Sequence, residues 1–378
     1  MLAACGDAAT AKDPAPGFDS GTTPNGEIMP GTGRDASPGA VLPSSKDAGS
    51  TVGGPGGARD AAPDGALPAA MNDASDTRPP GGSTPLFVAV GYGAMRARSL
   101  DGASWVDYQD VQAGGGDDPN LIRGVGFADG RFVGVGNSIW YTDDGVAWSK
   151  ASVVASNGGT MQPGFLSDVV HANGRWVAAG GNGLRAYSDD GQTFHLVDSY
   201  YAGHYRGIAA GNASFVAVGH TYGAMPTLGL RAVSSDGEAW TIEPAAGPGF
   251  ASVAFGNGRF VAVGNMGRCE GSADGKKWEP IDLTTMNNLG EVRFVDGNFV
   301  VRVGGNATLA WTSSDGLSFA PLSSVPPSLV TAGEAGGSTV FVGANWDKPT
   351  VGRSITGPWT PGAKFPNGVG DIAYGWVR

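Results

Sequence analysis

The residues best suited to binding chemistry lie in two short segments, SYYAGHYRG at 199–207 and GHTYGAM at 219–225. Together they supply seven candidate ligand-binding residues: Tyr200, Tyr201, His204, Tyr205, Arg206, His220 and Tyr222. Aromatic rings with polar tips suit the binding of sugars or peptides. The competing interpretation is that the tyrosines pack a long loop and the histidines are solvated. An eighth candidate, Trp346, stands beside Asp347 in the segment ANWDKP.

Acidic residues form a second group of candidates. The segment GGGDDPN places Asp117, Asp118 and Asn120 in one loop, where they could hold a cation or simply be solvated. Further aspartates recur in a motif with the pattern S/T-x-D-G-x-x-W/F. They are Asp101, Asp144, Asp190, Asp236, Asp274 and Asp315. A seventh, degenerate copy of the motif, SITGPW, lacks the Asp and ends at Trp359.

The repeated motif can be explained as a turn. Its Asp can accept hydrogen bonds from backbone N–H groups one or two residues on, its Gly can take a positive φ, and the preceding Ser or Thr can add a second bond. The aromatic residue can then pack between neighbouring units. The alternative is a calcium site, but calcium takes six to eight oxygen ligands and one Asp with one Ser supplies far fewer. We therefore predict six structural turn aspartates and no metal or other cofactor.

The seven motifs recur about every 42 residues, a period typical of four-stranded propeller blades. Each unit also contains strand-like runs, such as GRFVAVG at 258–264, preceded by Asn-Gly or Asp-Gly turns that favour tight hairpins. The folded part begins with a second strand, LFVAVG at 86–91, and ends with a first strand, VGDIAYGW at 369–376. These fragments complete each other in a closed ring, whereas an open solenoid would need capping repeats. We therefore predict an all-β, seven-bladed β-propeller of four-stranded antiparallel blades, closed by the C-terminal strand A pairing with the N-terminal strands B to D.

The strand order A to D assigns the connections to two faces of the disc. The A-to-B and C-to-D turns are short and alike, and we call their side the uniform face. The B-to-C and D-to-A loops differ widely in length and sequence, and we call their side the variable-loop face. Binding residues concentrate on variable loops held by a rigid scaffold, so the ligand is expected there.

The S-x-D-G-x-x-W/F units resemble the Asp-box, or BNR-type, repeats of sialidase-like β-propellers, although each box is one residue shorter. The whole of residues 85–378 is similar to propeller lipoproteins of bacteria. A sialidase would have an Arg triad, a Tyr nucleophile with a Glu partner and an Asp acid. Arg96, Arg185 and Arg231 do share one repeat position, but the first-strand Arg motif is missing, and no nucleophile, base and orienting residue come together. We therefore predict a non-catalytic module that binds a protein or glycan ligand, and a glycan-active hydrolase is the alternative.

The N-terminal part has a different composition. Residues 6–84 are rich in Ala, Gly, Pro and Asp, with Phe18 as the only aromatic residue, which predicts a disordered linker before a folded domain at 85–378. The net charge of −11 and the lack of a basic stripe argue against nucleic acid as a partner. The start MLAACGD resembles a lipobox, which implies that residues 1–5 are the remnant of a lipoprotein signal, although an accidental match is the alternative. The resemblance implies lipidation at Cys5 and, with Gly6, anchoring at the outer membrane of a bacterial cell envelope, facing either the periplasm or the surface. Separately, we expect a monomer.

Overall fold

The computed structural model describes residues 83–110, 118–156, 158–160, 164–197, 203–223, 228–305 and 309–378. Cys5 and almost all of the predicted linker lie outside these residues. Within them, no helix is long and apolar enough to cross a membrane.

The described chain is built from short strands. In chain order they are β1 (Thr84–Gly91), β2 (Arg96–Ser99), β3 (Val106–Gln109), β4 (Ile122–Ala128), β5 (Arg131–Gly136), β6 (Ile139–Thr142), β7 (Ser149–Lys150), β8 (Ser152–Val154), β9 (Leu166–Ala172), β10 (Arg175–Gly180), β11 (Arg185–Ser188), β12 (Thr193–Val197), β13 (Gly203–Gly211), β14 (Ser214–Thr221), β15 (Leu228–Ser234), β16 (Thr241–Pro248), β17 (Phe250–Gly256), β18 (Arg259–Gly264), β19 (Cys269–Ser272), β20 (Glu279–Pro280), β21 (Leu289–Val295), β22 (Asn298–Val303), β23 (Ala310–Ser313), β24 (Ala320–Pro321), β25 (Thr331–Ala335), β26 (Ser338–Asn345), β27 (Lys348–Gly352), β28 (Thr360–Pro361) and β29 (Val369–Val377). Three 3₁₀ turns, Tyr92–Ala94, Gly181–Gly183 and Asn265–Gly267, each connect a strand B to a strand C.

The strands form seven sheets arranged in a ring, and the predicted seven-bladed propeller is confirmed. Blade 1 has the order β29-β1-β2-β3, and blades 2 to 7 are β4–β7, β9–β12, β13–β16, β17–β20, β21–β24 and β25–β28. The ring closes as predicted, because β29 runs antiparallel to β1 with Thr84 opposite Val377 and Val90 opposite Asp371. One strand was not predicted. After β7 of blade 2 the chain forms β8, which pairs in parallel with β12 and becomes a fifth, outer strand of blade 3.

Hydrophobic cores fill the spaces between neighbouring blades. The second strand of each blade is covered on both faces, and in β1 the residues from Leu86 to Val90 are fully buried. The motif aromatics enter the same spaces, since Trp105 of blade 1 shares a cluster with Val342 of blade 7. Phe194 of blade 3 likewise packs with Val133 of blade 2. The ring is therefore held together mainly by apolar contacts between blades.

The uniform face carries the predicted turns. In the fourth blade, Asp236 Oδ1 accepts the backbone N–H groups of Glu238 and Ala239, both at 2.9 Å. Ser234 Oγ donates to the same oxygen at 3.0 Å and accepts the N–H of Gly237 at 2.8 Å. The bonds thus reach two and three residues beyond the Asp, one residue further than expected. The other five motifs repeat this pattern, and the backbone bonds lower the pKa of Asp236.

The glycine of the motif is required for two reasons. Gly237 has φ of +78°, which favours glycine. A Cβ at this position would also lie 2.6 Å from Val177 Cγ2 of the preceding blade. The turn therefore brings the backbone of one blade against the side chains of its neighbour. Trp240 stabilises the turn by donating its indole N–H to Gly237 O at 2.9 Å.

Candidate binding site at the mouth of the central channel

The innermost strands share a local irregularity near the variable-loop face. In six of the seven inner strands, one residue is skipped in the pairing with strand B, which makes a β-bulge. A bulge redirects the side chain of the extra residue. The skipped residues are Arg123, Ser167, Arg206, Ala251, Gly290 and Gly370.

These bulges surround a cavity of about 380 Å³ at the mouth of the central channel. Five of the six bulge residues line it, together with the residues that follow them in the inner strands. Strand A starts at the variable-loop face in every blade, so the cavity opens on the face where the ligand is expected. Its volume lies within the usual range of small-ligand pockets.

Three carboxylates of the cavity occupy the same repeat position, directly after the bulge. Each reaches across to the next blade and accepts a backbone N–H from it. The bonds join Asp168 Oδ2 to Ile208 N at 3.0 Å, Glu291 Oε1 to Leu329 N at 2.9 Å and Asp371 Oδ2 to Val125 N at 3.0 Å. These acids therefore act as links between blades around the channel.

Arg293 neutralises two of these carboxylates. Its Nε lies 2.9 Å from Glu291 Oε1 and its terminal nitrogen 2.7 Å from Asp371 Oδ1. Burial alone would lower the pKa of Arg293, but Asp371 and Glu291 raise it above its usual range. Burial, with a smaller contribution from Asp371, raises the pKa of Asp168 to about 6. Arg302 completes the network by contacting Glu291 Oε2 at 3.3 Å.

Positive charge remains at the rim of the cavity. Four arginines and three carboxylates line it, and the carboxylates are already engaged by backbone N–H groups and by Arg293 and Arg302. Arg206 is exposed and has no hydrogen-bond or ion-pair partner among the described residues. Arg123 lies with its guanidinium 3.6 Å from the centre of the Phe165 ring and donates to Leu121 O at 3.3 Å. The mouth of the channel is therefore cationic in a chain whose net charge is −11.

A row of rings extends outward from this rim between blades 3 and 4. We call Phe165, His204, His220 and Tyr222 the aromatic row. Successive ring centres are 5.0, 5.5 and 6.0 Å apart. Ser167, which lines the cavity, lies with its Oγ 3.0 Å from His204 Nε2. The row and the cavity are therefore continuous.

The histidines of the aromatic row are neutral at physiological pH. Burial, and then the charges of Arg206, His220 and Arg123, lower the pKa of His204 to about 4. Burial and Arg206 also lower the pKa of His220. Neutral imidazoles present both a donor and an acceptor nitrogen, so the row offers polar contacts without adding charge.

The structure separates the predicted binding residues. It brings His204, Arg206, His220 and Tyr222 together at the mouth. Tyr205 is fully buried in the core between blades 3 and 4, so it is not available to a ligand at the surface. Tyr200 and Tyr201 lie outside the described residues.

Trp346 lies elsewhere on the variable-loop face. It is 54% exposed in the B-to-C loop of blade 7, and its ring packs 4.9 Å from that of Tyr92 in blade 1. It therefore belongs to the opposite side of the ring from the aromatic row.

Asp118, in the connection between β3 and β4, has a structural role. Asp118 is buried and accepts the backbone N–H groups of Gly93 and Asn120. It thereby connects residues 118–120 to the B-to-C turn of blade 1, and Asp118 is not solvated as one of the two interpretations of the sequence expected. Asp117 is outside the described residues, and the described ranges contain no group of three His, Cys, Asp or Glu side chains suited to a metal.

The repeated arginines do not meet in the channel. Arg96, Arg185 and Arg231 occupy one register position, opposite Val90, Ala179 and Val218. Each packs over an aromatic ring of the following blade. The distances to the ring centres are 4.1 Å from Arg96 to Trp140, 5.5 Å from Arg185 to Trp240 and 5.2 Å from Arg231 to Trp278.

No protein-family model and no curated protein matches the chain. Among solved structures, it is similar to YCF48 bound to D1 peptide, with 16% identity and a TM-score of 0.47 over 83% of this chain and 98% of that one. It is also similar to the WD40 β-propeller domain of Doa1, with 13% identity and a TM-score of 0.46 over 68% and 92% of the two chains. Apo AztD from Citrobacter koseri has 10% identity and a TM-score of 0.45 over 78% and 99%. At these identities and TM-scores, the likenesses indicate no function for this chain.

Proposed function

We propose that this propeller is a non-catalytic binding module whose protein or glycan ligand enters the mouth of the central channel from the variable-loop face. The observation that carries the proposal is Arg206, which has no ion-pair partner among the described residues and lies at the rim of a cavity that continues into the aromatic row. A cation with free donors, a pocket of suitable size and adjacent rings are the elements of a recognition site.

The cavity is poorly suited to hydrolysis. A glycosidase needs one carboxylic acid to donate a proton and a second carboxylate free to attack or to activate water. Both oxygens of Asp168 accept backbone N–H groups, from Val169 at 2.8 Å and Ile208 at 3.0 Å. Both oxygens of Asp371 are engaged in the same way, and Arg293 adds a further contact.

One observation favours the hydrolase alternative, namely the raised pKa of Asp168, which would suit a general acid. Purified protein incubated with a mixed panel of glycans tests it directly. We expect no released product. Product that disappears in Asp168→Asn would establish catalysis and overturn the binding-only function.

A steric block tests the proposed site itself. Ala251 lines the cavity from its bulge in β17, so Ala251→Trp would fill the mouth with an indole ring. The full chain would be applied to an array of glycans and 12-residue peptides. We expect the wild type to be retained on at least one ligand and Ala251→Trp to lose at least tenfold in affinity for it.

A matched control keeps this test specific. Arg353 is exposed at the end of β27, on the uniform face, and Arg353→Gln should leave retention unchanged. The double variant His204→Ala with Tyr222→Ala should weaken retention by removing half of the aromatic row. Ligands held equally by the wild type and Ala251→Trp, with both proteins folded, would refute the channel mouth as the site.

We further propose that Cys5 is lipidated and holds the protein as a monomer at the outer membrane of a bacterial cell envelope. The support is the sequence resemblance to a lipobox. Metabolic labelling with a palmitate analogue in the source bacterium should label the wild type and not Cys5→Ala. Equal labelling of both would refute the anchor.

A further inference from the structure

The exposed apolar side chains are unevenly distributed over the described part of the chain. Nine large hydrophobic residues are exposed there, and six of them lie on the variable-loop face in blades 4 to 7. These six are Tyr222, Leu228, Met266, Met286, Leu309 and Trp346. Clusters of exposed apolar residues rimmed by polar groups mark interaction surfaces.

Three of these residues adjoin the cavity, and we call Met266, Met286 and Leu309 the apolar arc. Their exposed fractions are 56%, 72% and 42%. Asn288 connects the arc to the cavity wall, because its side-chain oxygen accepts the Met266 N–H at 2.9 Å and its carbonyl accepts the N–H of Gly304, which lines the cavity.

Leu309 is attached to the same wall. Its carbonyl accepts the N–H of Val303, which lines the cavity, at 3.2 Å. Met286 stands beside Met266, since a Cβ on Gly267 would lie 3.5 Å from Met286 Cα. The apolar arc therefore borders the mouth on blades 5 and 6, while Arg123 and Arg206 approach it from blades 2 and 4.

We propose that the occupant of this surface is a peptide segment of a partner protein, with an acidic side chain at Arg206 in the channel mouth and apolar side chains on the apolar arc. This inference rests on the proposed function and specifies its ligand. Charge complementarity selects the acidic group, because the carboxylates of the cavity are engaged and Arg206 has no partner among the residues that the structure describes.

The chemistry of the arc selects a peptide. Unbranched methionine side chains adapt to other apolar side chains and are frequent at peptide-binding surfaces. Sugar rings are instead bound mainly by aromatic faces and polar groups, and the arc offers neither. A mixed acidic and apolar peptide matches both halves of the site.

Selection from a displayed library of random 12-residue peptides tests the proposal with the full chain as target. We expect the selected sequences to be enriched in Asp or Glu next to Leu, Ile, Met or Phe. One selected peptide is then synthesised with a fluorescent label, and its Kd is measured by anisotropy at low and high salt. Affinity should fall with salt, because a charged pair contributes to it.

Two variants separate the parts of the site. Arg206→Gln should weaken binding by about tenfold or more, the effect of losing one charge-assisted contact. Replacing the acidic residue of the peptide by its amide should weaken binding by a similar factor. In Arg206→Gln that replacement should then have little further effect, because the same contact has already been lost.

The apolar arc is tested in the same assay. Met286→Ser should weaken binding several-fold, since it removes apolar area from the interface. Arg353→Gln and Leu317→Ser make equivalent changes on the uniform face, where Leu317 is 47% exposed, and should leave binding unchanged.

The possible results distinguish this inference from the proposed function. The inference would be overturned if the selected peptides lacked acidic residues or if Arg206→Gln left the Kd unchanged. In that case, loss of binding in Ala251→Trp would still support the channel mouth as the binding site. Binding of glycans alone, lost in Ala251→Trp, would likewise overturn only the peptide assignment. Binding that survives Ala251→Trp, or no binding on either array, would overturn both.

Discussion

Substitution of Asp371 tests whether side-chain contacts between blades hold the channel mouth in shape. It is 5% exposed, and its Oδ2 accepts the Val125 N–H of the next blade at 3.0 Å. Its Oδ1 accepts both a terminal nitrogen of Arg293 at 2.7 Å and the Ile372 N–H at 2.9 Å. In Asp371→Asn one acceptor oxygen becomes a donor, which must face either the Val125 N–H or the guanidinium of Arg293.

The cost follows from these contacts. A hydrogen bond to a charged group contributes about 1.5–3 kcal/mol, and a buried donor left without an acceptor costs about 1–3 kcal/mol. Arg293 keeps Glu291 as a partner and is 28% exposed, which reduces the penalty for its charge. We therefore expect the free energy of unfolding to fall by about 3 kcal/mol, which corresponds to roughly 6–12 °C in Tm for a large domain.

Scanning calorimetry and urea denaturation measure this change. Asp129→Asn is the control, because Asp129 is 84% exposed, 3.5 Å from His171, and should change stability by less than about 0.5 kcal/mol. Combining Asp371→Asn with Arg293→Met should cost less than the sum of the two single changes, since both remove one shared contact. A shift in Tm below about 2 °C for Asp371→Asn would refute the proposed link between blades.

Three further predictions concern the turns, the pH dependence and the arginines between blades. Asp236→Ala should lower the free energy of unfolding by roughly 1 kcal/mol, because two backbone N–H groups lose their acceptor; an unchanged urea midpoint would contradict this. The turn aspartates have lowered folded-state pKa values, to about 2 for Asp315, so the stability that they supply is complete above about pH 4 and is lost as the pH falls below it. The effect of Asp168 on stability runs the opposite way, because its folded-state pKa is raised to about 6. Its charged form destabilises the folded protein above pH 6, and this penalty is relieved as the pH falls from 6 to 4. The urea midpoint should therefore rise over that interval in the wild type and not in Asp168→Asn. Arg231→Leu should cost about 1–3 kcal/mol by removing the 2.7 Å pair with Glu270, yet change binding at the channel mouth less than twofold; a large loss of binding would show that this arginine belongs to the ligand site.

The architecture could be predicted from sequence because it is repeated. Seven copies of one turn motif indicate seven blades. The ring was predicted to close between the two ends of the folded part, where LFVAVG and VGDIAYGW lie. The parallel strand β8 was missed because nothing in the short run Ser152–Val154 distinguishes it from a loop. Its place depends on the neighbouring edge of β12, which no local pattern encodes.

The binding site could be predicted only in part. The sequence placed His204, His220 and Tyr222 on one face because both loops belong to one blade. It also grouped Tyr205 with them, although alternation along β13 turns this side chain into the core. An aromatic residue next to a bulge can face either way, and only the register of the strand decides.

The network of Asp168, Glu291 and Asp371 was missed although a signal exists. When the inner strands LSDVVHA, LGEVRFV and VGDIAYG are aligned by their repeats, each has a carboxylate at the third position. Hydrophobicity profiles treat such a residue as a polar interruption of a strand. A buried carboxylate at a fixed repeat position instead predicts a bond to backbone across the repeat boundary.

The bulges explain why rigidity and recognition occur at one place. Each inner strand is the edge of its sheet, so alternate N–H groups point away from strand B, and without a bulge its side chains would alternate regularly. Two residues after the bulge residue, the N–H of Val125 or Ile208 is bound by a carboxylate of the preceding blade, and the skipped residue, such as Arg206, lines the cavity. The bulge thus lies beside both the link between blades and the side chain available to a ligand, and its removal would shift them relative to each other. A variant that removes the bulge of β13 by deleting Arg206 should therefore weaken both binding and stability, whereas Arg206→Gln should weaken binding alone.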